Sequence, residues 1–192
     1  MADARVVLAS TSPRRRDLLG RLGLTPEVRP VEVDETPRPG EVAVDLVLRL
    51  AAAKAAAGAR GDDAEVVLAA DTVVVRDGGV LGKPRDRDHA RAMLRSLSGR
   101  THEVVTGVAA VRGGDHRRVH VTTEVTFRRL SDAEIAWYLG TGEPDDKAGG
   151  YGLQGAGAAL VISIAGSDTN VVGLPLAETV AVLRELGVDP LR

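Results

Sequence analysis

The stretch EVVLAADTVVV, residues 65–75, decides the fold class. A short apolar run rich in β-branched residues reads as a strand buried on both faces, the kind found inside α/β sheets. Asp77-Gly78 follows and favours a two-residue hairpin turn into GGVLGKP. One residue breaks the pattern. An ionised carboxylate at Asp71 is costly in an apolar strand unless it is paired, holds a metal, bonds backbone amides, or sits where the strand opens on a ligand crevice. Thr72 beside it points to the opposite face if the strand runs on, or shares that crevice if the chain turns.

Working outward, RVVLAS (5–10) reads as a first strand, and SPRRRDLLGRLGL opens a helix with Ser12 as N-cap and Pro13 at the first helical position. Residues 41–58 form an Ala-rich helix ending at Gly58. Downstream, RDHARAMLRSL (87–97) is an amphipathic helix stopped by Ser98-Gly99. THEVVTGVAAV (101–111) and RRVHVTTEVTFRR (117–129) are strands around a GGD turn. Ser131 and Glu134 form a capping box for a helix through Leu139. ALVISIA (159–165) is a strand, and LPLAETVAVLREL (174–186) a helix ending at Gly187. Strands alternating with helices predict an α/β fold.

The chain has 192 residues, enough for one domain with a sizeable core. Aromatics make up only 2%, so that core is built from aliphatic side chains and single-stranded nucleic acid finds no stacking platform. A net charge of −2 gives no electrostatic drive toward nucleic acid or membrane surfaces. With no cysteine there is no disulfide, thiolate metal site or thiol nucleophile. No apolar run reaches the ~18 residues that span a bilayer. The expectation is a soluble cytoplasmic protein.

Further residues sit against local rules. A helix N-terminus favours acids, yet Arg14, Arg15 and Arg16 crowd this one. Such a turn is either a solvated basic face or an anion site suited to phosphate. Lys54 shares a helix face with Leu50 and Val47, so it either snorkels to water or reaches an internal anion. Lys83 stands between Gly82 and Pro84 after the hairpin, and Glu35 is a loop acid. His102 reads as structural. GEPDDKAGGYGLQG (142–155) sets Lys147, Tyr151 and Gln154 among five glycines, with little to bury. Its order should come partly from a ligand. Arg14, Arg15, Lys54, Lys83 and Lys147 against Glu35, Asp71 and Asp146 suit a polyphosphate with a hard divalent ion such as Mg²⁺. No P-loop signature is present.

LASTSPRRRDLL, AADTVVV, GKPRD, LSGRTHEVVTG, GEPDDKAGGYGLQG and NVVGLPL follow the order and spacing of the Maf family, which the chain resembles from Val6 to Gly187. The resemblance implies a nucleoside triphosphate pyrophosphatase, of a family first linked to inhibition of septum formation. It implies a mixed, twisted central sheet flanked by helices, with two lobes around a deep cleft, similar to inosine triphosphate pyrophosphatases. Residues 1–192 would form a single such domain. The family's proton acceptor falls on Asp71 and its specificity positions on Arg14, Thr72 and Gln154. Arg, Thr and Gln there match the dTTP/UTP subfamily rather than the 7-methyl-GTP subfamily.

On this reading Asp71 accepts a proton from water or holds the metal (Mg²⁺ or Mn²⁺), with Glu35 as a second metal ligand. Lys54 and Lys83 join the catalytic set, while Ser10, Arg14, Arg15 and Lys147 bind phosphate. The glycines let the backbone approach the nucleotide, and Tyr151 packs beside the sugar or base or is simply hydrogen-bonded. Gln154, both donor and acceptor, suits the O4 and N3–H edge of uracil or thymine. A homodimer is expected by analogy. The competing reading is a nucleotide-responsive regulator of cell division, or a pyrophosphatase of broad specificity.

Overall fold

The computed structural model describes residues 4–61 and 63–192. Among them, the sheet has seven strands: β1 (Arg5–Leu8), β2 (Glu27–Val28), β3 (Glu65–Arg76), β4 (Gly79–Leu81), β5 (Thr101–Arg112), β6 (Asp115–Phe127) and β7 (Val161–Ala165). The order is β2-β1-β3-β5-β6-β7, with β4 paired to β3 off this path. β1 runs parallel to β2 and β3, whereas β4 is antiparallel to β3 and β7 to β6. The sheet is therefore mixed, as expected. The helices are α1 (Pro13–Gly20), α2 (Ala43–Gly58), α3 (Arg87–Leu97), α4 (Asp132–Leu139), α5 (Asp168–Val172) and α6 (Leu176–Glu185). None is long and apolar enough to cross a membrane among the described residues.

Local chemistry accounts for most boundaries. Asp77 (φ 50°) and Gly78 (φ 77°) make the β3–β4 turn, both left-handed as a type I′ hairpin requires. The Ser131–Glu134 capping box forms in full, and Asp86 caps α3 by accepting from the His89 N–H. Three details differ from the sequence reading. Ser12 stands at the N-cap of α1, but its side chain makes no capping bond. Instead Ser10 Oγ accepts from the Ser12 N–H at 3.2 Å. Residues 156–160 form a 3-10 turn rather than the start of β7. Pro175 is the N-cap of α6, so that helix starts later than its apolar pattern suggested. The two-residue strand β2 and the short helix α5 are too brief to leave a periodic signal.

The chain divides into two compact units. The first runs to Asp71 and takes in Thr106–Val121 and Gly173–Arg192. Its core joins α2 (Ala51, Ala55) to β1 (Val7, Ala9), β3 (Val67, Ala69) and β5 (Ala109, Val111). At the edge of that core Glu65, 3% exposed, accepts from Arg29 at 2.7 and 2.9 Å and from Arg5 at 3.1 Å. The second unit comprises Thr72–Val105 and Thr122–Val172. Leu94, Leu97, Phe127, Ile135, Tyr138, Tyr151 and Leu160 are among the side chains of its core.

Candidate functional site

In the first unit, small residues bring α2 close to the sheet. A Cβ on Gly107 of β5 would lie 2.6 Å from the carbonyl carbon and oxygen of Val47, so only glycine leaves room for the helix backbone. One on Gly58 would lie 3.0 Å from Ala9 Cβ and from Val67 Cγ1. With the helix held this closely, Lys54 does not snorkel away. Its Nζ lies 2.7 Å from Asp71 Oδ1 on β3 and 2.6 Å from Glu35 Oε1. The Lys54 and Asp71 side chains are each 12% exposed, whereas Glu35 is 55% exposed. Asp71 thus avoids the cost of an unpaired buried carboxylate by pairing with an ammonium rather than with backbone alone.

Arg15 joins this cluster. Its Nε donates to the Gly173 carbonyl at 2.9 Å and its Nη1 to Ser10 Oγ at 3.3 Å, so the SPRRR and NVVGLP motifs meet at one guanidinium. Burial lowers the Arg15 pKa, the charge of Asp71 opposes that shift, Arg14 adds to it, and Glu35 opposes it again. Ser10, Arg14, Arg15, Glu35, Lys54 and Asp71 therefore act on one another. Formal charges of Glu35 and Asp71 cancel those of Lys54 and Arg15, leaving Arg14 in excess.

No group of three or more His, Cys, Asp or Glu side chains stands ready to hold a metal among the described residues. Two carboxylates do converge on one cation, the Lys54 ammonium. That donor pair fits a hard divalent ion, which takes one or two carboxylates and completes its shell with phosphate oxygens and water.

The second unit carries Thr72, Lys83, Lys147 and Gln154. Thr72, on β3 next to Asp71, is half-buried. Lys83 is exposed and makes no ion pair among the described residues. The Gly149 N–H donates to the Gly82 carbonyl at 3.0 Å, fastening the Lys147 segment to the loop that bears Lys83. Lys147 Nζ is engaged locally, with Asp146 Oδ1 at 2.6 Å and the Glu143 carbonyl at 2.7 Å. Gln154 is exposed at the crest of its loop.

The glycines of this loop serve a purpose the sequence did not reveal. A Cβ on Gly149 would lie 2.8 Å from Val74 Cγ2, and one on Gly152 would lie 2.6 Å from the Lys147 stem. One on Gly155 would overlap the Glu143 carboxylate. They make room for protein side chains. Tyr151 is likewise turned inward: 5% exposed, it meets His102 Nε2 through its hydroxyl at 2.8 Å and packs edge-on against Phe127. Burial pushes the His102 pKa down to about 4, so the ring is neutral near pH 7. Sequence reasoning also passed over Glu143 and Tyr138, which bond the backbone around Gln154. A lone loop acid and a helical tyrosine carry no local signal for that.

The family model described as Maf-like protein matches residues 5–186. A dTTP/UTP pyrophosphatase of Anaeromyxobacter dehalogenans is 59% identical over 187 residues, covering 95% of this chain and 94% of the relative. A protein of the same name from Methylococcus capsulatus is 51% identical over 191 residues, covering 99% and 95%. Among solved structures, a HAM1 protein from Coxiella burnetii superposes with a TM-score of 0.53 at 18% identity, covering 95% of this chain and 99% of that one, a likeness of fold. The matched span takes in all the clustered side chains of the first unit and the whole glycine loop of the second. The chain belongs to the Maf-like protein family.

Proposed function

We infer that the chain hydrolyses dTTP and UTP to the monophosphate and pyrophosphate, and so removes pyrimidine triphosphates, normal or modified, from the nucleotide pool. The observation that carries this reading is the Lys54 ammonium shared between Asp71 and Glu35, with Arg15 bound to Ser10 beside them. The names of the two relatives support the choice of substrate.

Asp71 is the proton acceptor for the attacking water, and its 2.7 Å contact with Lys54 fixes the position of the carboxylate for that task. Lys54 and Lys83 stabilise the charge that develops on the triphosphate, and Ser10, Arg14, Arg15 and Lys147 bind its oxygens. Because the anhydride is already activated, positioning and charge stabilisation supply most of the catalysis. Glu35 and Asp71 would hold a divalent ion, Mg²⁺ or Mn²⁺. Such an ion supplies charge neutralisation and a lowered water pKa when bound. Thr72 and Gln154 face the base, with Gln154 offering a donor and an acceptor to the pyrimidine edge.

A pyrophosphate-release screen over normal and modified triphosphates, with and without Mg²⁺ or Mn²⁺, tests the reading. UTP and dTTP should lead the panel, and release should require the ion. A purine triphosphate turned over faster than both would refute the substrate assignment.

A further inference from the structure

Residues 152–157 form a small loop with Gln154 exposed within it, one end tied to Tyr138 and the other to Glu143, two side chains that bond each other. At the near end the Gly152 N–H donates to the Tyr138 hydroxyl at 3.0 Å. At the far end the Ala156 N–H donates to Glu143 Oε1 at 2.7 Å and the Gly157 N–H to Glu143 Oε2 at 3.2 Å. The Tyr138 hydroxyl in turn donates to Glu143 Oε2 at 3.3 Å, which closes the ring. Tyr138 is fully buried on α4, so the anchor is a packed helix rather than another loop. A Cβ on Gly155 would strike the Glu143 carboxylate, and one on Gly157 would strike the Gly152 carbonyl and lie 2.7 Å from the Tyr138 hydroxyl oxygen. The sequence leaves those two places open for the clasp.

The protonation states suit this arrangement. Burial raises the Tyr138 pKa, so the hydroxyl keeps its proton and can donate. Burial would raise that of Glu143, but the Ala156 and Gly157 amides, the tyrosine hydroxyl and the Lys147 charge outweigh it and hold the carboxyl below the usual range. An ionised carboxylate offers acceptors to three donors at once, which a glutamine in its place cannot match. Bonds of this kind are stronger than neutral ones and fix geometry as well as energy.

We propose that Glu143 and Tyr138 are positioning residues for base selection, holding the 152–157 backbone so that the Gln154 side chain meets the pyrimidine edge at a fixed distance and angle. This rests on the reading of Gln154 as the base reader. In that role both side chains act through the backbone that carries Gln154, so their loss falls on pyrimidine binding rather than on chemistry.

The test compares kcat and KM for UTP and GTP, followed by pyrophosphate release, in the wild type, Glu143→Gln, Tyr138→Phe and Gln154→Ala. Tyr138→Phe keeps the buried ring and so tests the clasp if Glu143→Gln does not fold. In both clasp variants the UTP KM should rise about fivefold to tenfold, as loss of one or two hydrogen bonds predicts, while kcat and the GTP parameters stay near wild type. Amide exchange at Gly152, Ala156 and Gly157 should quicken in the same variants. A merely destabilised protein loses activity on both nucleotides in proportion, and that parallel fall, or an unchanged UTP-to-GTP ratio, overturns the clasp. If Gln154→Ala shifts the ratio and the clasp variants do not, only this proposal fails. If Gln154→Ala leaves the ratio unchanged, the base-reading role fails and the clasp with it.

Discussion

The Lys54–Asp71 cluster and the Gln154 loop hold the side chains we assign to function in two different ways. The first sits on regular elements, a long helix and a buried strand, pressed together by small residues. Its key contact joins two side chains whose backbones are fixed by packing. The second has almost no regular structure and is fixed by side chains bonded to backbone amides. The difference follows from the tasks we assign. The carboxylate assigned to the chemistry and the ammonium paired with it must not drift, so packed elements carry Asp71 and Lys54. Reading a base edge needs an exposed amide on a loop that is fixed without being buried.

The contrast can be broken at its strongest point first. Lys54→Ala leaves Asp71 and Glu35 without their shared cation and should lower kcat/KM for UTP by about 100-fold, measured by pyrophosphate release. Next, Gly107→Ala puts a methyl group against the Val47 backbone, which cannot yield without moving α2. It should cost about 2–3 kcal/mol in urea unfolding and displace Lys54, lowering activity as well. Gly152→Ala meets only the flexible Lys147 stem and should cost less than about 1 kcal/mol. Equal losses at the two glycines would erase the distinction between the regions.

Gln154→Glu sharpens the other half. It removes the donor from the exposed amide and should shift preference from UTP toward a purine triphosphate by about tenfold, leaving stability unchanged. The smallest effect is on acid stability. Near pH 6.5 the unfolded chain begins to protonate His102, while the folded protein resists this until about pH 4. Stability from that group is therefore present at neutral pH and lost as pH falls through this window. Glu65, held down to about 2 chiefly by its bonds to Arg29, contributes stability lost only between about 4.5 and 2. Hydrogen exchange against pH should loosen the strand around His102 first and the β1–β3 pairing later. The reverse order would contradict both assignments.

The sequence made the first region legible and the second only in part. The stretch that decided the fold also held the exception, Asp71, which pointed to a partner because a charge in a buried strand must have one, and the partner is Lys54. Lys54 announced itself by sharing a face with Val47 and Leu50. Regular elements have a period, and a residue that violates the period stands out. The glycine loop has no period. Its glycines read as room for a nucleotide, but a chain of letters does not say what approaches, and the fold brings Val74, Lys147 and Glu143 there. Tyr151 is hydrogen-bonded, one of the two alternatives the sequence offered, but its partner His102 lies 49 positions away and left no local trace. The capping bond expected of Ser12 went instead between Ser10 and the Ser12 amide, a choice set by the tertiary contact of Ser10 with Arg15.

The whole account depends on Asp71 acting in the chemistry and not merely in the ion pair with Lys54. The direct measurement is kcat for UTP hydrolysis together with the UTP dissociation constant in Asp71→Asn. Asparagine keeps the shape but accepts no proton, so kcat should fall by about 10³-fold or more while the dissociation constant changes by less than about tenfold. A variant that binds UTP and turns it over within tenfold of the wild-type rate would contradict the account.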